Sequence, residues 1–399
     1  SIRWDRSNLW GTNSKYQNKP LWSVGGSWNI YKEKFFQADF VDMLKLRASY
    51  GIGGNIGRNT APYLIASYYD SSLVDGMAGS VNTPPNKDIR WEKTTTVNVG
   101  VDFALFRHRL SGTIEYKYSV DLLAAINGSP TQGFGYTTLM TNNGKMVNRG
   151  VEITLSGEII RQKDFSWNAS LLYAFNRNKV KHISVQPSLW DSRISMPTSY
   201  PMVGKPLYGI YAYKWAGLNE NGDPQVYDAE NNVTSGPARD YHALVYCGTT
   251  VPIHNASLTN VLRYKGFEFS AMLILDAGHK LRSSNIPSIN MSNGRITSTA
   301  KGIVDRWTQP GDVTDVPRLL FSNDTENFNT HRTELYRYSD LFVYDASNIR
   351  LSNISLAYRV PAHWCKKISL SGARLQFNVE NVATFAFDSK ANYDLGGKV

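Results

Sequence analysis

The chain has 399 residues, a formal charge of +10, 42% apolar residues and two cysteines. That length fits several soluble domains or one barrel of many strands, while Cys247 and Cys365, lying far apart, define neither a metal site nor a disulfide framework and read as free thiols. No run approaches the roughly 18 uncharged apolar residues of a spanning helix, so any membrane crossing would be made by a closed sheet.

Alternation with a period of two marks roughly a dozen extended segments along the chain. In chain order the predicted strands are 2–6, 21–31, 44–52, 91–105, 110–123, 150–160, 165–178, 207–217, 253–264, 267–279, 343–359 and 368–385. The segment 165–178 is the clearest: Phe165, Trp167, Ala169, Leu171, Tyr173 and Phe175 point one way, and Ser166, Asn168, Ser170 and Asn176 the other. Val151, Ile153, Leu155 and Ile159 likewise alternate with Glu152, Thr154, Ser156 and Glu158.

The connections also alternate. Short turns at 107–109, 161–164, 265–266 and 361–367 fall between longer stretches at 53–90, 124–149 and 282–340, while 179–206 and 219–251 interrupt the rhythm as rim excursions or small subdomains. Short turns at one end and long loops at the other are the habit of an outer-membrane barrel. Large aromatics near segment ends, such as Trp22 with Trp28, Trp91 with Phe103, and Phe165 with Tyr173, suit a girdle at a bilayer surface. A soluble sandwich or propeller, secreted or displayed for carbohydrate binding or adhesion, also alternates and stays open at this point.

Chemistry-bearing motifs are few. There is no nucleophile elbow, Cys/His pair or phosphate-cradling loop, and His242, His254, His279 and His331 lack zinc spacing. No catalytic residue, cofactor or metal is therefore expected. Asn219-Glu220-Asn221-Gly222-Asp223 places oxygen ligands at alternate positions but lacks the distal Glu of a calcium loop, so a plain Asn-Gly turn is the better reading. Trp190, Tyr200, Tyr227, Tyr241, Tyr246, Trp307 and Phe321 lie in the long connections. Of these, Trp190, Tyr200, Tyr241 and Trp307 are the candidate ligand contacts, because loop aromatics stack on sugar rings or pack on peptides; packing inside a folded loop is the competing explanation. Basic residues are scattered without a basic helix or stacking motif, which argues against nucleic acid. A positive excess near the outer edge suits lipopolysaccharide phosphates instead.

Several words of the sequence carry a resemblance. Leu44-Lys45-Leu46-Arg47-Ala48-Ser49-Tyr50-Gly51 with Gly53-Gly54-Asn55, Ile89 to Thr94 with Asn98-Val99-Gly100-Val101-Asp102-Phe103, Asn143 to Glu152, Tyr208 to Tyr211 with Lys214 to Leu218, and Asp345 to Leu356 appear in one order. In these words the chain resembles SusC/RagA-type TonB-linked outer-membrane transporters of Bacteroidetes. Ile52-Gly53-Gly54 departs from the family's usual Thr before Gly-Asn, and the chain stops at Gly396-Gly397-Lys398-Val399, where the family would continue into a last strand ending in Phe.

The resemblance implies an all-β fold: residues 1–399 as the C-terminal strands of a transmembrane antiparallel barrel of about 22 strands, without its plug, earlier strands and last strand, and with an export signal upstream. It implies import of oligosaccharides or peptides through the outer membrane, a SusD-like surface lipoprotein as lid, and TonB-ExbB-ExbD acting through the absent plug. It also allows a dimer of transporter–lipoprotein pairs. Lys45, Arg47 and Ser49 would face inward, where a plug could dock or where water simply fills the lumen.

Overall fold

The computed structural model describes residues 1–6, 18–55, 63–71, 76–83, 85–86, 92–123, 126–128, 139–142, 144–183, 192–195, 197–198, 200–236, 240–291, 299–321, 330–367, 369–391 and 394–395. Trp91 and Trp190 lie outside them. Eleven strands form one sheet in which spatial order equals chain order. They are β1 (Ile2–Arg6), β2 (Asn18–Asn29), β3 (Val41–Asn55), β4 (Glu92–Leu105), β5 (Leu110–Leu123) and β6 (Gly144–Arg161). β7 (Phe165–Ile183), β8 (His254–Tyr264), β9 (Phe267–Ala277), β10 (Asn348–Arg359) and β11 (Arg374–Ala386) complete it. Every neighbouring pair is antiparallel, the arrangement that consecutive strands joined by hairpins produce.

Register fixes what each face carries. Across β3 to β7, Leu46 pairs with Val101, Val101 with Ile114, Ile114 with Ile153 and Ile153 with Tyr173. Farther on, Leu171 pairs with Leu258, Leu258 with Leu273 and Leu273 with Leu351. This apolar face is uncovered: Leu46, Ile114, Tyr116, Leu258, Leu273 and Leu356 are 36–49% exposed, and Phe377 is 69% exposed. A sandwich would bury those side chains against a second sheet. A continuous apolar face of this extent has hydrocarbon as its solvent, so the open sandwich alternative is overturned here.

Aromatics edge this face. Phe165, Tyr264, Phe267, Tyr358 and Leu375 stand in one row at the short-turn end, in direct register across five strands. Toward the other end Tyr116, Val151, Phe175 and His254 form a second row. The ten residue steps from Phe165 to Phe175 span about 33 Å of strand, which a tilt of about 40° reduces to roughly 25 Å of height, the thickness of the apolar band of an outer-membrane barrel. Within the band Gly112 faces the ring of Phe103: a Cβ there would sit 2.8 Å from Phe103 Cζ and 2.5 Å from the Thr154 carbonyl, so no larger residue fits.

The expected strand 150–160 begins at Gly144, 165–178 runs on to Ile183 and 368–385 begins at Arg374, and two other expected strands are rearranged. The segment 207–217 does not join the sheet; it forms Gly209–Tyr213, paired with Leu244–Thr249, and Trp215–Leu218, paired with Pro224–Tyr227. All five residues of Gly209–Tyr213 are buried, because protein covers both faces. The segment 343–359 splits into Val343–Asp345, paired with Lys280–Arg282, and β10. The connection before β11 contains a short helix, α1 (Ala362–Lys367), rather than only a turn.

Candidate functional site: the lumen wall and the rim

The face opposite the apolar one is polar. On it Arg47 of β3 donates Nε to Asp102 of β4 at 2.7 Å and Nη2 to Glu115 of β5 at 2.6 Å. Lys117 of β5 donates to Glu152 of β6 at 2.6 Å, and Thr113 to Asp102 at 2.9 Å. The ion pairs thus form one chain of alternating sign over four strands, Asp102–Arg47–Glu115–Lys117–Glu152, in which Lys117, 3.7 Å from Glu115, offsets the direct opposition of Glu115 and Glu152. They are one-fifth to one-half exposed, so each pair contributes at most about 1 kcal/mol. Their effect is to hold Arg47 on the wall, with both of its carboxylate partners supplied by the barrel itself.

Next to this row lies a niche of about 330 Å³ whose inward side chains include Glu152, Thr154, Leu172, Asn255, Ile274 and Asp276. Leu172 is 53% exposed there. Alternation alone overlooked the niche, although Leu172 and Ala174 are apolar at inward positions of β7 and carry the signal.

The long-loop end builds a rim from segments distant in sequence. One core gathers Tyr211, Tyr213, Val226, Ala243, Leu244 and Leu335; a second gathers Ile289, Tyr336 and Phe342, and Trp215 packs on both. Burial pushes the Tyr336 phenol well above its ordinary range. The helix α2 (Thr330–Arg337) supplies Leu335 and Tyr336. Arg282 fastens its end: the guanidinium donates to the carbonyls of Tyr211 at 2.7 Å and of Arg337 and Ser339 at 3.2 Å. The bond to Arg337 satisfies a carbonyl at the helix C-terminus that has no partner within the helix, and the other two join it to the neighbouring strand and to the residues that follow.

The loop aromatics fall into different roles. Tyr200 is buried, at 9% exposure. Tyr227 and Tyr246 lie under the ammonium groups of Lys214 and Lys205, at 4.6 and 4.7 Å. Tyr241 begins a single 3-10 turn, Tyr241–Ala243, and its side chain lies outside the described residues, as does Trp190 entirely. Phe321 pairs through its backbone with Met291. Trp307 lines an open niche of about 650 Å³ with Asn219, Asn221, Pro310, Asp312 and Thr314.

Asn219 to Asp223 is a turn, as its sequence indicates. Asn219 Oδ1 accepts from the backbone N–H of Asn221 at 3.0 Å and of Asp223 at 2.8 Å. The Asp223 carboxylate is engaged by Arg318 at 2.8 and 3.0 Å and by Arg332 at 3.1 Å. Among the described residues no group of three or more His, Cys, Asp or Glu side chains is placed to hold a metal ion.

An antiparallel meander with an apolar exterior band, aromatic girdles and a charged interior defines a multi-pass β-barrel protein of the bacterial outer membrane. The family described as "TonB dependent receptor-like, beta-barrel" matches residues 1–382, and the chain belongs to it. That family is not a class of enzymes. TonB-dependent receptor P3 of Formosa agariphila is 26% identical over 421 residues, covering 98% of this chain and 40% of the relative. TonB-dependent receptor SusC of Bacteroides thetaiotaomicron is 25% identical over 405 residues, covering 96% of this chain and 38% of the relative. The solved structure of the RagAB peptide transporter superposes with a TM-score of 0.78 at 23% identity, covering 97% of this chain and 42% of that one. The chain therefore spans about two-fifths of the length of these relatives.

Proposed function

We propose that these strands form one arc of a TonB-dependent importer that takes up oligosaccharides or peptides together with a SusD-like surface lipoprotein. The observation that carries the reading is the sheet itself: an apolar exterior registered across neighbouring strands, a charged interior, and long connections gathered at one end. In this reading the long-loop end is extracellular, the lipoprotein lids it, and TonB with ExbB and ExbD acts through a plug seated against the polar face. Among the described residues β1 and β11 each have a single neighbour in the sheet, and an edge left bare in lipid costs several kcal/mol per unsatisfied backbone group. Closure by further strands removes that cost.

Ligand contact is assigned to two places. Trp307 offers a ring at the mouth of the rim niche, suited to a sugar face or an apolar peptide side chain. Lower down, Leu172 and Ile274 combine apolar surface with polar groups, Asn255 and the Glu152 and Asp276 carboxylates that Lys117 and Arg350 already offset, a combination suited to a peptide. Tyr200 and Tyr241 remain assigned to the rim that surrounds the ligand. Two relatives support transport: one is the TonB-dependent receptor SusC, the other the RagAB peptide transporter.

The test is purification of the full-length protein from outer membranes with its co-purified lipoprotein and ligand, identified by mass spectrometry. Oligosaccharide or peptide retained by the wild type and lost on Trp307→Ala, with heat-modifiable migration unchanged, supports the proposal. Recovery of the protein in soluble form without detergent contradicts it.

A further inference from the structure

The exterior face changes character just above the upper aromatic row. Arg149 of β6 stands directly across from Arg177 of β7, and Val147 directly across from Lys179, all on the face that lower down carries Ile153 and Tyr173. With Lys181 and with Gly204 and Pro206 of the adjoining loop, these residues line a cavity of about 340 Å³. Arg149, Arg177, Lys179 and Lys181 are all exposed. Among the described residues none of the four has a carboxylate partner, because the acids of β6, Glu152 and Glu158, point to the other face.

Like charges directly opposite one another in a sheet are destabilising unless something of opposite sign lies between them. Tyr118 covers one side of Arg149, its ring 5.5 Å from the guanidinium carbon, but supplies no counter-charge. The position selects the missing anion. Arg177 lies two residues beyond Phe175, so it sits about 7 Å farther along the strand than the upper girdle, at headgroup depth. Arginine forks match phosphate oxygens bidentately, and flanking lysines add point charge.

We propose that Arg149, Arg177, Lys179 and Lys181 form a docking site for the phosphorylated headgroup of an outer-leaflet glycolipid, of the lipid A type, held against the barrel exterior. The site rests on the reading that the long-loop end faces outside the cell. The anion neutralises the Arg149–Arg177 repulsion, and the acyl chains lie along Val151, Phe175 and Tyr116, which continue the same face downward. A soluble phosphate would meet the cations but none of this apolar continuation.

The full-length protein in phosphatidylcholine nanodiscs containing bis-phosphorylated lipid A provides the test, with bound lipid A counted by native mass spectrometry. The Arg149→Gln/Arg177→Gln pair is expected to lose about tenfold in retained lipid A, roughly 1.4 kcal/mol, whereas Arg149→Lys/Arg177→Lys keeps most of it. Arg161→Gln, at the opposite end of β6, retains the wild-type amount. Dephosphorylated lipid is expected to be retained as poorly as lipid A on the Gln pair, and inorganic phosphate not to displace lipid A. Equal retention by the Gln and Lys pairs overturns the proposal, as does displacement by inorganic phosphate or undiminished retention of dephosphorylated lipid. A tag inserted at Asn231 and probed on intact cells reports orientation separately: an inaccessible tag defeats the importer orientation, and with it the outer-leaflet assignment, whatever the lipid counts.

Discussion

Asp223 and Arg332 meet at 3.1 Å although 109 residues separate them, and the arginine is 3% exposed. This contact ties the 219–223 turn to α2, with Arg318 holding the second carboxylate oxygen at 2.8 Å. Burial lowers the Arg332 pKa from its ordinary value, and the adjacent carboxylate opposes that shift. Asp223→Ala leaves a buried guanidinium without its counter-charge and is expected to destabilise the rim by on the order of 3 kcal/mol. Urea titration followed by near-ultraviolet circular dichroism checks this; a change below about 0.5 kcal/mol would remove the pair from the rim's framework.

Gly222 sits at φ +73° with its α-carbon facing the indole of Trp307, and a Cβ there would fall 2.4 Å from Trp307 Cδ2. Gly222→Ala thus meets a left-handed backbone and a ring at once. The expected cost is about 2–3 kcal/mol, with displacement of Trp307. Tryptophan fluorescence should shift on this substitution, and any ligand retention that depends on Trp307 should fall with it.

Leu155 lies in mid-band on the exterior face, registered with Gly112 and Leu171, while Thr154 faces Thr113 and Leu172 on the interior. Leu155→Arg is expected to destabilise the barrel by about 2–4 kcal/mol, and Thr154→Arg to be nearly neutral. The yield of heat-modifiable protein in the outer membrane distinguishes the two; equal yields would contradict the facing.

The long strands were legible in the sequence because one face meets hydrocarbon and the other water, so polarity must alternate wherever both solvents are present. The rim was not legible. Its strands are two to six residues long, too short to show a period, and they are buried by partners far away in sequence. Ile210, Tyr211, Ala212 and Tyr213 show the difference: their unbroken apolar run signals burial on both faces, whereas a barrel strand would have alternated. Of the candidate ligand contacts, residue type alone could not separate Tyr200, which is buried, from Trp307, which lines a niche. The opposed Arg149 and Arg177 became visible only once the register of β6 and β7 was known.

Cys247 lies half-buried in the rim, and burial pushes its thiol up to about 11. From an ordinary value near 9, the thiolate fraction at pH 8 falls about a hundredfold, and iodoacetamide labelling should slow in proportion until the rim is unfolded. The fold holds the neutral thiol, so the folded state retains a proton that the unfolded chain releases between about 9 and 11. Rim stability therefore declines as pH rises through that window. Labelling at the rate of a free thiol would show that the site is open.

Spin labels placed one at a time from residue 150 to 160 on β6, in a Cys247→Ser/Cys365→Ala background of the full-length protein in native outer membranes, test the central claim most directly. Accessibility to oxygen, which partitions into lipid, should peak at 151, 153 and 155, and accessibility to a water-soluble nickel chelate at 152, 154 and 156. Labels that show no period of two, or oxygen peaks at the even positions, would contradict a lipid-facing sheet.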